Sequence, residues 1–335
     1  MSKMLIRGSF SALRWVLAAV GAVALLFTAM VAAPLVRPPE LASISAARKS
    51  MDLSALPELT RFQARDGTEL AYRHYPAHAP LTGRIAVVVH GSSGSSKGPI
   101  HALSLALAAR GVQTYAVDIR GHGASGNRGD ITYLGQLEDD MADLVDEIRK
   151  TDPTAPLTLI GHSSGGGFAL RVAGSPIQNL FTRTVLLAPY LGYDAPSSRP
   201  NSGGWANPDI PRFLALSVLH RLGMPWAESL PAIAFAVPPN SSLRLTEVYS
   251  YRLMRNFASH ADFHSDLAAA TRPLTIISGA DDELMFADKY AEAVRGIVPV
   301  VDVKLIAGVN HMGIVSDPAA VSAIADDVAK TDLNS

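Results

Sequence analysis

The chain predicts an α/β fold, a mostly parallel central sheet flanked by helices. Three observations point there. Strand-like and helix-like segments alternate from residue 84 to residue 187 and again from residue 274 onward. One strand-like segment, residues 84–89, is a continuous apolar run after its arginine, as expected when helices cover both faces of a sheet. The third is a strand, tight turn and helix around Gly161-His162-Ser163-Ser164-Gly165. In that setting a G-x-S-x-G pattern means a nucleophile elbow.

In chain order, residues 61–64 and 69–75 flank Asp66-Gly67, a hairpin pattern. Arg84–Val89 is an apolar strand, and residues 100–110 form a periodic helix closed by Gly111. Residues 112–117 are the next strand, and residues 134–150 an amphipathic helix. Residues 157–160 and 163–173 make the elbow unit, and residues 184–187 another strand. Residues 190–272 break the pattern, with many prolines, Trp205, Trp226 and helical stretches without clear strands. They read as a helical lid over the sheet, the place where such folds carry a substrate pocket. Residues 274–278, 286–295, 300–305 and 318–331 then resume strand, helix, strand, helix. The α/β core is thus expected at 59–189 and 273–335.

The N-terminus differs. Residues 15–36 carry no charge and are long enough to span a bilayer as a helix. Lys3, Arg7 and Arg14 precede them, which places the N-terminus in the cytoplasm and the bulk of the chain outside. Residues 1–36 are read as a single-pass membrane anchor, with a cleaved signal peptide and secretion as the alternative. Residues 37–58 read as a tether or a loosely packed helix.

Composition excludes several classes. The 29 basic and 30 acidic side chains nearly balance, with no basic stripe for a nucleic acid. There is no cysteine, so disulfides, thiolate catalysis and cysteine-ligated metals are out. His260 and His264 at i, i+4 lack an H-E-x-x-H context for a metal.

A serine hydroxyl needs a base to take its proton and a third group to orient that base. The chain supplies both after Ser163. The loop Gly279-Ala280-Asp281-Asp282-Glu283 follows one strand, and its acid is open among Asp281, Asp282 and Glu283, with Asp288 less suited inside the next helix. His311 lies in the loop after the last strand, and is the candidate base. The oxyanion needs two N–H donors: Ser164 directly after the nucleophile, and Ser92 in the small-residue loop of residues 90–98. A phosphate cradle in that loop is disfavoured, because G-x-x-x-x-G-K-[ST] is absent. His90 and His122, beside glycines, are expected to hold turns together by hydrogen bonds, and His162 to point away from Ser163.

Together these residues resemble the α/β-hydrolase superfamily, and within it the monoacylglycerol lipase-like and lysophospholipase-like serine hydrolases. Asp118-Ile119-Arg120-Gly121-His122-Gly123-Ala124-Ser125 is similar to that branch's D-x-R-G-H-G-x-S loop, and His90-Gly91 to its oxyanion HG. Gly279-Ala280-Asp281-Asp282 resembles its G-x-x-D acid motif, which implies Asp282 as the acid. The resemblance implies a Ser163–His311–Asp282 triad that cleaves lipid-like or short acyl esters through an acyl-enzyme. No cofactor or metal is implied. The apolar segment residues Phe213, Leu214, Trp226 and Phe235 and the anchor favour acyl chains. Alternatives on the same fold are a peptidase releasing N-terminal residues, with Glu228 or Glu247 holding the ammonium, a haloperoxidase or a C–C hydrolase. A non-catalytic binding protein is the third reading.

Overall fold

The computed structural model describes residues 2–238, 244–297 and 301–330, with side chains from residue 13 onward. Helix α1 (Ser2–Ala32) is followed by α2 (Ala42–Lys49). The hairpin β1 (Leu59–Gln63) and β2 (Glu69–Tyr75) turns at Gly67, whose φ of 79° suits glycine. Then come β3 (Arg84–Val89), α3 (Ile100–Ala109), β4 (Val112–Asp118), α4 (Gln136–Arg149), β5 (Leu157–His162), α5 (Ser164–Ala173) and β6 (Arg183–Leu187). After an excursion, β10 (Leu274–Gly279), α9 (Tyr290–Ala293), β11 (Asp302–Ile306) and α10 (Pro318–Lys330) complete the core. Residue 300, which the sequence placed in the last strand, and residue 331, placed in the last helix, lie outside the described residues.

One eight-stranded sheet runs in the order β1-β2-β4-β3-β5-β6-β10-β11. The pairs from β4 to β11 are parallel, and only the β1–β2 and β2–β4 pairs are antiparallel. The apolar runs are the reason for this layering. In β3 every residue after Arg84 is buried, and β5, β6 and β10 are buried throughout. Such strands are stable only with helices on both faces. α10 meets that need with Val321, Ile324, Ala325 and Val328 on one buried stripe packed against α3.

The excursion between β6 and β10 corrects one expectation. It is not purely helical. β7 (Ala206–Pro208), β8 (Pro231–Phe235) and β9 (Val248–Ser250) form a second, three-stranded antiparallel sheet. α6 (Ile210–Arg221) and α7 (Tyr251–Asn256) pack against it, while α8 (Phe263–Ala269) packs against α5 of the core. Strands of three to five residues, two of them containing a proline, leave almost no periodicity to read. Residues 286–295 hold only a 3₁₀ turn and the four-residue α9 instead of a full helix.

The presumed tether is also packed. Ile44 of α2 is 2% exposed and belongs to the main core cluster. The stretch leading into α2 is held as well: Val36 O accepts from Asn207 Nδ2 at 2.8 Å, and Arg37 pairs with Glu247 at 2.6 Å. α1 contains one stretch apolar and long enough to cross a membrane, Leu13–Ala32, with mean hydropathy 2.3 and none of it buried. The helix ends at Ala32, just before Pro34, which lacks the N–H a continuing helix would need.

Candidate active site

Ser163 sits between β5 and α5 at φ 56° and ψ −121°, a region that non-glycine residues rarely occupy. Such a conformation costs about 1–3 kcal/mol and persists only where its surroundings over-determine it. Here they do. Ser163 N donates to Leu187 O at 2.9 Å, and Ser163 O accepts from Gly167 N and Tyr190 N, both at 3.0 Å. The flanking glycines make the turn sterically possible. A Cβ on Gly161 would land on the Gly165 carbonyl oxygen, and one on Gly165 would land on the His90 carbonyl oxygen. Both collisions are with backbone, which cannot swing aside.

His311 and Asp282 meet. His311 Nδ1 lies 2.8 Å from Asp282 Oδ2, and both side chains are almost fully buried. Asp282 Oδ1 accepts from the N–H groups of Leu284 and Met285, each at 2.8 Å. Burial alone would push the Asp282 carboxyl up. The adjoining His311 and the two backbone donors outweigh it and hold the group below the usual carboxylate range. Among the open acids, then, Asp282 is the one on the imidazole. Glu283 contacts the same loop differently, accepting from His311 N at 3.0 Å. His311 lines the same small cavity as Ser163 and Ser92.

The loop after β3 comes close to the nucleophile. A Cβ on Gly91 would stand 3.1 Å from Ser163 Cβ, so the loop's backbone passes close to the nucleophile with little room for a side chain. Ser92 is next to it, and Ser164 opens α5, where the first N–H groups of a helix have no partner within it. Ser92, Ser163 and Ser164 line a second, larger cavity of about 570 Å³. Its walls are largely apolar, with Phe213, Leu214, Ile233, Phe235 and Met254 among them. Trp226, expected in the same wall, is instead 67% exposed.

Three residues that hold this loop escaped the sequence reading. Trp205 Nε1 donates to Ser92 Oγ at 2.7 Å. Tyr249 Oη accepts from Ser93 N at 2.6 Å and is 2.6 Å from His122 Nε2. Asp118 accepts from Ser96 N at 2.6 Å and from Ala124 N at 2.9 Å, clamping the loops after β3 and β4 together. That clamp gives the Asp118–Ser125 stretch a structural role. Only Asp118 carried any sequence mark, through its motif. The two aromatics lie more than a hundred residues from their partners.

The remaining histidines fall into place. His90 Nδ1 faces Gly91 O at 2.7 Å, and Ile119 N donates to its Nε2 at 3.3 Å, a loop-holding role. His162 turns from the nucleophile to the base: its Nε2 is 3.1 Å from His311 O, with ring centres 4.8 Å apart. Burial, reinforced by His311, lowers His162 to about 3, so it is neutral at physiological pH. His260 precedes α8 and binds Asp266 at 2.6 Å, so it does not share a helix face with His264. Among the described residues no cluster could hold a metal ion.

Known proteins agree with this architecture. Residues 82–318 match the family described as serine aminopeptidase, S33. A monoglyceride lipase homolog of monkeypox virus is 27% identical over 222 residues, 61% of this chain and 74% of its own. A non-heme chloroperoxidase of Kitasatospora aureofaciens is 24% identical over 259 residues, 74% of this chain and 90% of its own. Among solved structures, a soluble variant of the Saccharomyces cerevisiae monoglyceride lipase with a substrate analog superposes with a TM-score of 0.66. It shares 16% identity and covers 84% of this chain and 96% of its own. With more than half of its length in the match, the chain belongs to the serine aminopeptidase S33 family of α/β-hydrolases, resembles the monoacylglycerol lipases, and is a hydrolase.

Proposed function

We propose that this protein is a membrane-anchored serine esterase that cleaves carboxylic esters of apolar acyl chains. The observation that carries it is the junction at Ser163: the strained serine opens onto a 570 Å³ apolar cavity while a buried His311–Asp282 pair stands beside it. That volume lies in the range of ligand-binding cavities. In the reaction, His311 takes the Ser163 Oγ proton as Oγ attacks the ester carbonyl carbon. The oxyanion that forms accepts hydrogen bonds from Ser92 N–H and Ser164 N–H. His311 then gives the proton to the departing alcohol, leaving an acyl-enzyme. Water repeats the sequence and releases the acid. Asp282 holds the imidazole tautomer and balances its charge.

The segment at residues 190–272 acts as the lid. α6 and the residue that caps its end carry an exposed apolar row, Ile210, Leu214, Val218 and Leu222, spaced four residues apart. The end of α1 packs against α6 and its neighbours, with Val31 in that cluster and Ala33 O accepting from Arg212. Anchor and apolar row side by side fit a catalytic domain seated at a bilayer surface, with lipid esters as substrates. Positive charge before residue 15 supports a cytoplasmic N-terminus and an extracytoplasmic catalytic domain.

The family's description makes an aminopeptidase the second reading. An ammonium-bearing substrate needs a carboxylate in the pocket. Among the described residues, the two cavities are lined by Arg48, Arg171, Arg199 and Arg255 and by no acid. Glu228 is taken by His220 and Glu247 by Arg37, each at 2.6 Å. Charge therefore favours the ester.

Hydrolysis of p-nitrophenyl esters from two to sixteen carbons, beside amino-acid p-nitroanilides, tests the proposal. Each methylene that enters the apolar cavity is expected to raise kcat/KM about fourfold until the cavity is full. Ser163→Ala is expected to lose about 10³-fold or more. Turnover of the anilides alone, or ester turnover untouched in Ser163→Ala, would refute it.

A further inference from the structure

The smaller cavity at Ser163, about 50 Å³, has a wall that includes residues from the N-terminal segment: Ile44 and Arg48 of α2 stand there with Ser92, Ser163 and His311. Because the large apolar cavity opens from the same serine, an ester bound with its acyl chain there directs its alcohol half into the small one. The electrostatics of this compartment are one-sided. Arg48 is its one permanently charged lining residue, and no carboxylate lines it among the described residues. Burial lowers both His90 and His162 and so disfavours their charged forms.

Arg48 itself is short of partners. Its guanidinium lies over the Trp205 ring, 5.1 Å from the centre, a cation–π contact that positions it. Nη1 is buried and has no hydrogen-bond partner. Glu40 acts on it only through space, and its carboxylate accepts instead from Ser45 Oγ at 3.1 Å. Burial outweighs that distant acid and lowers the guanidinium to about 10, still charged at neutral pH. A desolvated N–H cation beside a cavity is strongly favourable only when an acceptor arrives, and the charge selects an anionic one.

We infer that Arg48 makes the small cavity an anion-accepting subsite, so that favoured substrates carry a carboxylate or phosphate on the alcohol half, close to the ester oxygen. The volume holds roughly four water-sized groups, enough for one acidic group and its carbon and too little for a second acyl chain. The inference rests on the ester-hydrolase reading and names the substrate class for it.

The test compares matched ester pairs, using the full chain in uncharged detergent. Decanoyloxyacetate against ethyl decanoate varies a carboxylate, and decanoyloxymethylphosphonate against neopentyl decanoate varies a phosphonate that stands in for a phosphate. The readout is the acidic-to-neutral ratio of kcat/KM in wild type, Arg48→Met and Arg48→Lys. In at least one pair the wild-type ratio should exceed one and fall about tenfold to a hundredfold in Arg48→Met, with partial retention in Arg48→Lys. The pair that responds identifies the acid. A ratio within one preparation does not depend on how much of a variant folds, and a clamp on Trp205 alone would lower both esters of a pair alike. Ratios unchanged by Arg48→Met in both pairs, with the neutral esters hydrolysed, would overturn the inference alone. Failure to hydrolyse any of the four esters would instead bring down the ester reading, and this inference with it.

Discussion

Asp282 and His162 show how single side chains divide the work around His311. One acid carries the imidazole contact, with its second oxygen bound by two backbone N–H groups. Asp282→Asn preserves that shape and removes the charge, so it is expected to cut kcat about 10⁴-fold with little change in unfolding temperature. Asp281→Asn, which leaves the imidazole's partner in place, should stay within a few-fold; kinetics on p-nitrophenyl decanoate separate the two. His162 has a pH signature. Its pKa is about 3 in the fold against an unfolded value near 6.5. The folded state holds the neutral ring, so this contribution is intact above about pH 6.5 and is lost as pH falls toward 3. Between pH 7 and 5, His162→Asn should lose about 2 kcal/mol less stability than wild type, measured by denaturant unfolding. At this scale the candidate nucleophile, the candidate base and the small-residue loop facing them were legible in the sequence, because each follows a strand end. Trp205 and Tyr249 were illegible, since nothing near an isolated aromatic tells which distant loop it will hold.

Elements were legible in proportion to the length of their apolar pattern. β3 and β5 read clearly because each holds an unbroken buried run, five residues in β3 and six in β5. β7 and β9, three residues each, exist only because β8 lies between them to pair with, a contact that no local pattern announces. The same dependence on neighbours makes the elbow intolerant. Gly161→Ala drives a methyl group into the Gly165 carbonyl oxygen, which can retreat only by moving the start of α5. We expect a loss of about 1–3 kcal/mol and, because α5 carries Ser163 and Ser164 at its tip, a fall in kcat as well. Thermal unfolding together with ester kinetics checks both. A variant as stable and active as wild type would show that the turn is looser than its geometry implies.

Across the whole molecule, the N-terminal segment matters more than its composition suggested. Its apolar stretch was plain in the sequence, and its docking was not, because Ile44, Arg37 and Val36 find their partners on the excursion and core far along the chain. A chain starting at Pro38 keeps α2, whereas one starting at Asp52 removes Ile44 and opens a wall of the small cavity. The shorter chain should be less stable by about 2 kcal/mol or more. Denaturant midpoints of the two truncations, measured side by side, test this, and equal midpoints would return residues 37–51 to the status of a loose tether.

The proposed ester chemistry turns on Ser163 being an activated nucleophile. The most direct measurement is labelling of the native chain with a fluorophosphonate, followed by peptide mass spectrometry and assay of decanoyl ester hydrolysis. The expected result is one modified residue, Ser163, with hydrolysis lost in step with labelling, and labelling suppressed in His311→Ala. Absence of labelling at Ser163, or hydrolysis that persists after it is fully labelled, would contradict the account.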